Sequence, residues 1–326
     1  MATDDMQREI GGYLELERFY GSEYHEGLLA LDCARNALAY LIEARDIKTL
    51  WIPAFLCSSV PMVCQKYGVE AKAYPICDSF LPQYDAFAPG ADDYVYLVDF
   101  FGQLAEADIR DAAARFPGHL IVDEVMAFYR KPIDDLDTIY SCRKFFGVAD
   151  GAYLATTARL ERELPRDESW DKMRFVLGRF ERPASEFYAE SSSNNMRFRT
   201  QEICAMSPIT QNLMRAIDYD RAIDQRERNY AFLRRELDDI NQLDLANPVG
   251  PFMYPLLLDN GRELRKPLQQ RKMYIPMLWD HAAKAPGVAG RFANDILPLP
   301  IDQRYDEDDM AYMVDILRKV MAEQGR

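Results

Sequence analysis

Short, wholly apolar segments that alternate with helix-like stretches constrain the fold of this chain most strongly. Residues 94–100 read YVYLVDF, and the run from Leu120 to Val122 is apolar throughout. Strands of this kind are typical of a parallel sheet that is covered on both faces. Because such runs alternate with stretches of helical periodicity, the sequence predicts an α/β fold with a mostly parallel sheet flanked by helices.

Two polar residues follow neighbouring strands of this predicted sheet. Asp123 comes directly after an apolar run, and Lys144 lies in the segment DTIYSCRKFFGVADG, three residues beyond Ser141. Ligands of open α/β sheets bind at the carboxyl ends of the strands. Burial lowers the pKa of a lysine toward that of a nucleophilic amine, which forms a Schiff base with an aldehyde such as pyridoxal phosphate (PLP). A carboxylate beside the pyridine nitrogen of PLP keeps that nitrogen protonated.

Each of the two residues also has an ordinary structural explanation. Lysine side chains are mostly exposed, so Lys144 taken alone fits a surface loop better than a buried site. An aspartate at a strand end often caps the turn that follows, which accounts for Asp123 without any ligand. The combination is more informative, because an aspartate at one strand end and a lysine after the next strand is the spacing of fold-type I PLP enzymes.

A phosphate site is predicted near the first helix. The short strand at 28–31 is followed by Cys33-Ala34-Arg35 and by a helix that runs to about Ala44. A helix N-terminus offers free backbone N–H groups and the positive end of the helix dipole, and both suit a phosphate. Arg35 adds a positive charge. An ordinary capped helix explains the same residues, so both interpretations stay open.

The composition argues against several classes of protein. A net charge of −14 and a pI of about 4.8 disfavour general binding to nucleic acid or to an anionic membrane. The six cysteines show no C-x-x-C spacing, which fits a reduced, cytoplasmic protein. The three histidines are far apart, so no metal site is predicted. The first residues lack the apolar core of a signal peptide, and no apolar run approaches membrane-spanning length.

The chain divides into three predicted parts. They are an N-terminal arm at 1–27, a large domain at 28–215 and a small C-terminal α+β domain at 216–326. The serine- and asparagine-rich segment from Ser191 to Arg197 is predicted to be a loop. Within the small domain, residues 273–277 are predicted to form a strand.

With these pieces in order, the chain resembles the DegT/DnrJ/EryC1/StrS family of fold-type I PLP-dependent sugar aminotransferases. The resemblance runs from about Leu28 to the C-terminus, and it depends on the ordered set of motifs because no single one is specific. The matching segments are Cys33-Ala34-Arg35-Asn36-Ala37-Leu38 (phosphate loop), Trp51-Ile-Pro-Ala-Phe55, Asp99-Phe-Phe-Gly-Gln103, Asp123, Ser141 with Lys144 and Asp150-Gly151, Asn195-Met-Arg197 (the N-y-R motif) and Leu297-Pro-Leu-Pro300.

The resemblance implies a PLP-dependent aminotransferase whose large domain binds PLP and whose active site lies at a homodimer interface. Lys144 would bind PLP as an internal aldimine and then move protons, and Asp123 would tune the ring. The family's N-y-R motif reaches the phosphate of the neighbouring subunit's cofactor. The residues implied around the cofactor are Ala34, Arg35, Cys57, Asp123, Met126, Ser141, Lys144 and Asn195.

The resemblance also implies a reaction, the transfer of an amino group to a keto-sugar. Glutamate is the expected donor, and a nucleotide-linked sugar of surface-glycan or secondary-metabolite biosynthesis is the expected acceptor. Nucleic acids and membranes are not expected as partners.

The chain departs from the family pattern at two positions. Met126 stands where the family usually has glutamine or histidine near the ring hydroxyl, and methionine donates no conventional hydrogen bond. Cys57 stands where the family often places an aromatic residue that stacks on the ring. A shift of one residue would offer Leu56 or Phe55 instead, so the stacking partner stays open.

Two alternative functions therefore stay open. One is a PLP enzyme of another reaction class, such as a dehydratase, a lyase or a non-sugar transaminase. The other is a non-catalytic family member that acts as a binding protein. Packing or a solvated charge is the preferred interpretation of eight further residues that could instead contact the substrate: Tyr129, Arg143, Arg197, Tyr254, Trp279, His281, Arg291 and Arg304. His281, which is expected in a loop of the small domain, is kept as a hypothesis for a substrate-facing residue.

Overall fold

A seven-stranded sheet forms the centre of the larger part of the protein. The structure, a computed structural model, describes residues 10–325, so the first nine residues of the predicted N-terminal arm lie outside it. The strands are β1 Leu29–Leu31, β2 Thr49–Pro53, β3 Glu70–Tyr74, β4 Tyr94–Val98, β5 Leu120–Asp123, β6 Asp137–Ser141 and β7 Ala152–Ala155. In the described part, β7 runs antiparallel to both of its neighbours, β1 and β6, and the other neighbouring pairs of this sheet are parallel.

The order of the strands is β1-β7-β6-β5-β4-β2-β3, so the strands that end near Asp123 and Lys144 are direct neighbours. In the register of the sheet, Asp123 lies opposite Val98 of β4 and opposite Ile139 of β6. Because these three strands are parallel, their carboxyl ends meet at one edge of the sheet.

Helices cover the sheet and build the C-terminal part. Their bounds are α1 Ala34–Ala44, α2 Ser59–Lys66, α3 Glu106–Arg115, α4 Arg174–Glu181, α5 Tyr188–Arg197, α6 Pro208–Met214, α7 Tyr219–Leu237, α8 Gly261–Gln270, α9 Gly287–Asp295 and α10 Glu307–Glu323. Every residue of β4, β5 and β6 is buried, as expected for apolar strands covered on both faces. The predicted fold class, a mostly parallel sheet flanked by helices, is confirmed. None of the helices described within residues 10–325 has the length and apolarity needed to span a membrane.

A second, two-stranded antiparallel sheet lies in the C-terminal part and pairs β8 Met253–Leu257 with β9 Ile296–Pro300. Arg226 of α7 ties this part to the loop that carries Lys144. Its fully buried guanidinium stacks on the ring of Phe145 at 4.6 Å and donates to the carbonyl oxygen of Pro251 at 2.9 Å. The division of the chain at residues 215 and 216 stays a prediction.

Two local predictions are wrong. The segment from Ser191 to Arg197 belongs to helix α5 and is not a loop. Serine and asparagine are poor helix formers, but tertiary contacts override that preference here, because the buried Asn194 donates from Nδ2 to the carbonyl oxygen of Ala149 at 2.7 Å. Residues 273–277 pair with no strand of the described sheets. Pro276 has no N–H to donate in this segment, which disfavours a sheet position.

Candidate active site

A cavity of about 220 Å³ opens at the carboxyl ends of β4, β5 and β6, beside the N-terminus of α1. The structure brings all eight predicted cofactor residues to its walls, although they are spread over more than 160 positions of the chain. They are Ala34, Arg35, Cys57, Asp123, Met126, Ser141, Lys144 and Asn195. Their individual roles stay predictions.

Asp123 ends β5 with its carboxylate fixed by two donors. The hydroxyl of Tyr96 donates to Oδ2 at 2.7 Å, and the backbone N–H of Val125 donates to Oδ1 at 2.9 Å. Burial raises the pKa of Asp123, while Tyr96, Val125 and the positive charge of Lys144 act in the opposite direction. The carboxylate is therefore oriented toward the cavity and retains lone pairs for a further donor.

Lys144 closes a short 3-10 turn, Cys142–Lys144, that follows β6 directly. Its ammonium nitrogen lies 5.0 Å above the centre of the Phe252 ring, and no carboxylate of the described chain lies within salt-bridge distance of it. Burial lowers the pKa of Lys144, against the opposing influence of Cys57 and Asp123. A lysine in this environment gives up its proton more readily than one in water, which a nucleophilic amine requires.

Gly151 shapes the loop behind Lys144. Its φ of +120° is unfavourable for any residue with a side chain, and an added Cβ would lie 3.0 Å from Cβ of Cys142. The backbone N–H of Gly151 donates to the carbonyl oxygen of Asp32 at 2.5 Å, and the N–H of Cys142 donates back to the carbonyl oxygen of Gly151 at 3.2 Å. Gly151 therefore lets the start of β7 pack closely against both the turn Cys142–Lys144 and the residues just before α1.

Positive groups converge at the end of the cavity near α1. The first turn of α1 contains no acidic residue, and Cys33 caps it without a side-chain hydrogen bond. Arg35 and Arg143 both line this end, together with Ser141, which is 8% exposed. A helix N-terminus with two guanidinium groups is suited to an anion such as a phosphate.

The N-y-R motif is split by the structure. Asn195 lies on the cavity of its own chain, where its side-chain and main-chain oxygens accept hydrogen bonds from Arg143 and Arg35. Arg197 does not line the cavity. It forms an ion pair with Asp167 at 2.7 Å and donates from Nε to Oδ1 of Asn194 at 2.9 Å.

Apolar side chains form the remaining wall. Leu56 and Cys57 both line the cavity, whereas Phe55 is fully buried and packs on Phe100 with ring centres 5.2 Å apart. Of the three candidates for stacking on a ring, Phe55 therefore lies behind the wall. Trp279 lines the cavity from the C-terminal part of the chain.

Sequence reasoning missed Tyr96 and undervalued Arg143 and Trp279, all of which line the cavity. Tyr96 lies in an uninterrupted apolar strand, whose sequence does not reveal which face carries the site. Tyr96 lies two residues before Val98, and Val98 lies opposite Asp123, so all three side chains are on one face of the sheet. This spacing could have identified Tyr96 once the strand order was known.

Neither a protein-family model nor a curated protein matches the chain. Solved structures do. The sugar aminotransferase CalS13 from Micromonospora echinospora is 13% identical with a TM-score of 0.61, over 90% of this chain and 87% of its own. A DegT DnrJ EryC1 StrS aminotransferase from Brucella abortus is 16% identical with a TM-score of 0.59, over 93% and 91%. NtdA from Bacillus subtilis, with bound cofactor PMP, is 13% identical with a TM-score of 0.62, over 94% and 78%. The fold expected from the resemblance is therefore confirmed.

Proposed function

We propose, since the chain has the fold of the DegT/DnrJ/EryC1/StrS sugar aminotransferases, that it is a PLP-dependent aminotransferase. It would take an amino group, glutamate being the expected donor, and transfer it to a keto-sugar that is linked to a nucleotide. The observation that carries the proposal is one cavity that contains both Lys144, with a lowered pKa, and the oriented carboxylate of Asp123.

The residues of the cavity fit the cofactor. When bound, PLP supplies an aldehyde for the lysine and an electron-withdrawing ring. Lys144 would hold the aldehyde carbon and later carry a proton at Nζ. Asp123 would accept a hydrogen bond from the ring nitrogen, and the N-terminus of α1 would take the phosphate. Asp123 and α1 line different parts of the same cavity, so both ends of an elongated ligand have partners.

The chain's surface supports the proposal of a homodimer. Phe180 of α4 is 94% exposed, and Trp170, Leu177 and Tyr188 in the same region are also exposed. Soluble monomers rarely expose large apolar side chains together, and a second copy of the chain is the occupant that we propose. Phe180→Asp should shift the protein from dimer to monomer in sedimentation velocity, and a wild-type monomer would refute this part of the proposal.

A cytoplasmic location is proposed on the chemistry of the cysteines. All six are free thiols, and three of them, Cys33, Cys64 and Cys142, are buried. Free thiols persist in reducing compartments.

The test is an absorbance titration with PLP, followed by glutamate. Wild-type protein should develop a visible band that Lys144→Ala lacks, and Lys266→Ala, which changes an exposed lysine of α8, should match the wild type. Added glutamate should then replace the visible band with the shorter-wavelength band of the aminated cofactor. Keto-sugar nucleotides should restore the visible band, and the same sugars without the nucleotide should do so less well.

Two outcomes of that titration favour the alternatives. If the visible band forms but no amino donor changes it, the results favour a PLP enzyme of another reaction class. Met126 and Cys57 lie on the cavity wall, where the family usually has glutamine or histidine and often an aromatic residue; they weaken standard sugar transamination and also motivate the binding-protein alternative. If no band forms, the aminotransferase proposal fails and a binding protein remains.

A further inference from the structure

Arg143 is the residue directly before Lys144, and its side chain lies on the wall of the same cavity. Its guanidinium carbon is 4.5 Å from the centre of the Phe198 ring, and Nη2 donates to Oδ1 of Asn195. Arg35, in the first turn of α1, donates from Nη1 to the carbonyl oxygen of Asn195 at 3.0 Å. One residue of α5 therefore holds two guanidinium groups side by side at the cavity.

These two arginines form no ion pair with an acid of the described residues, and the negative charge of Asp150 acts on Arg143 only from a longer distance. Within residues 10–325, neither guanidinium lies within 4 Å of a carboxylate oxygen. Burial lowers the pKa of Arg143 to about 10, the nearby Cys33 works against this, and the positive charges of Arg35 and Arg197 lower it further. Two neighbouring cations that face a shared cavity repel each other, and a bound anion removes that repulsion.

Arg197 contrasts with Arg143, because its guanidinium is already paired with a carboxylate of the protein. Besides the ion pair with Asp167, its Nη1 donates to Oε1 of Gln201 at 2.5 Å, and its guanidinium stacks on Phe198 at 4.0 Å. Asp167 is buried, and if Arg197 turned outward it would keep only the longer ion pair with Lys172, at 3.8 Å. Breaking such a buried pair is costly, so Arg197 is not free to reach a ligand.

We propose that Arg143, together with Arg35, binds the phosphate of the cofactor, so that the positive charge of the phosphate site comes from the chain that carries Lys144. This inference rests on the proposed function and deepens it. It differs from the arrangement that the resemblance implies, in which the motif Asn195-Met-Arg197 of one subunit reaches the phosphate in the other. Arg143 is a binding residue that the resemblance does not assign.

The chemistry of a phosphate monoester fits this end of the cavity. Its charge at neutral pH lies between −1.5 and about −2, close to the charge of two guanidinium groups. Guanidinium groups bind phosphate oxygens through two parallel hydrogen bonds, and the N-terminus of α1 adds backbone donors. Because Arg143 and Lys144 are consecutive, one short turn sets the spacing between the group that holds the phosphate and the amine.

The first test compares PLP with pyridoxal, which lacks the phosphate. Dissociation constants for both are measured by absorbance titration on wild type, Arg143→Met, Arg143→Lys and Arg199→Met. Arg143→Met should weaken PLP about 10- to 100-fold, the range expected for a charged hydrogen-bonded pair, and should change pyridoxal less than about threefold. Arg143→Lys keeps the positive charge but cannot form two parallel hydrogen bonds, so its dissociation constant for PLP should lie between those of the wild type and Arg143→Met. Arg199 is exposed near the end of α5, and its variant should match the wild type.

Arg197→Met gives the opposite prediction. It should lower thermal stability but leave the ratio of the two dissociation constants, pyridoxal to PLP, within about twofold of the wild type. If that ratio falls for Arg197→Met and holds for Arg143→Met, the phosphate cation comes from the N-y-R motif and the inference is overturned. Equal weakening of PLP and pyridoxal by Arg143→Met would also overturn it, because the residue would then be structural.

Inorganic phosphate separates this inference from the proposed function. Phosphate should raise the melting temperature of wild-type protein and compete with PLP, and both effects should be lost in Arg143→Met. If phosphate protects through Arg143 while PLP gives no visible band, the anion site stands and the proposed function fails. If PLP forms its band with unchanged affinity in Arg143→Met, the proposed function stands and the inference fails.

A mixed assembly tests whether the arginine and the lysine serve the same site. Differently tagged Lys144→Ala and Arg143→Met chains are purified together and titrated with PLP. If both residues serve the site of their own chain, the only Lys144 in the mixed dimer belongs to the chain that lacks Arg143. PLP then forms its visible band as weakly as with Arg143→Met alone. Wild-type affinity at half of the sites would show that Arg143 serves the partner and would overturn the inference. A monomer that binds PLP with wild-type affinity would support it directly.

Discussion

Two sets of buried carboxylates lie side by side at the same edge of the sheet, and they differ in their partners. Asp123 faces the cavity, and the positive charge of Lys144 opposes the rise in the pKa of Asp123. Asp99 follows β4 and Glu124 follows β5, and both form ion pairs with Arg130. The distance is 3.0 Å from Nη2 of Arg130 to Asp99 and 3.1 Å from its Nε to Glu124.

This difference in cationic partners distinguishes a buried acid with a structural role from one that is available for chemistry. Arginine keeps its proton at any ordinary pH, so Arg130 gives the cluster of Asp99 and Glu124 a permanent positive charge. Lysine in a desolvated site exchanges its proton readily, so the charge beside Asp123 is adjustable. Perturbed pKa values occur both in structural ion pairs and in active sites, so the identity of the cationic partner, arginine or lysine, is what distinguishes the two.

The largest effect is expected from Asp123→Asn. The amide has nearly the same shape but no negative charge, so it would not favour a protonated ring nitrogen. The catalytic efficiency kcat/KM for amino transfer should fall on the order of 100- to 1000-fold, the range found when one preorganised electrostatic group is removed from an active site. The visible band with PLP should still form, because Lys144 is intact. Activity within threefold of the wild type would show that Asp123 only caps the turn after β5.

The opposite pattern is expected for Arg130→Met. It leaves Asp99 and Glu124 buried without their cation, and the free energy of unfolding should fall by about 3 kcal/mol. Urea denaturation measures this loss, and kcat/KM per folded molecule should stay within about threefold of the wild type. A tenfold loss of activity at unchanged stability would place this cluster in the chemistry and remove the distinction from Asp123.

The sequence predicts the position of Asp123 and Lys144 well because local physics controls both. Wholly apolar strands are buried, parallel strands end at one edge of the sheet, and polar residues placed there meet. It does not predict α5, because serine and asparagine favour loops locally and the contact of Asn194 with the β6–β7 loop decides the outcome. Nor does it predict the different fates of Arg143 and Arg197, since side-chain direction in a short turn depends on partners that are distant in the chain.

A moderate effect is expected for Tyr96→Phe. This variant removes the hydroxyl that donates to Oδ2 of Asp123 and keeps the ring. Because that hydrogen bond lowers the pKa of Asp123, its loss should raise this pKa. Activity should then fall about tenfold, and the acidic limb of the pH profile of kcat/KM should move to higher pH. A tenfold loss without movement of that limb would assign Tyr96 to packing alone.

The smallest effect is expected for the pH dependence of stability through Glu124. Burial raises the pKa of Glu124 well above its usual value, the charge of Asp99 adds to this, and Arg130 only partly opposes it. Oε2 of Glu124 is also buried and accepts no hydrogen bond from residues 10–325, which disfavours the charged form further. The folded protein thus binds a proton more tightly than the unfolded chain, whose glutamates have a pKa of about 4.3. Its contribution to stability is complete below that pH and is lost as the pH rises through the folded pKa.

Glu124→Gln mimics the protonated side chain and should therefore become more stable than the wild type as the pH rises. Urea denaturation at pH 5 and pH 8 should show this advantage growing by on the order of 1 kcal/mol. Glu161→Gln, at an exposed position, should show no such trend. If the advantage instead stays constant between pH 5 and pH 8, Arg130 keeps Glu124 ionised and the cluster contains no bound proton. Asp123→Asn measured in the same way sharpens the contrast, because Lys144 opposes the rise in the pKa of Asp123 and should leave a smaller slope at that site.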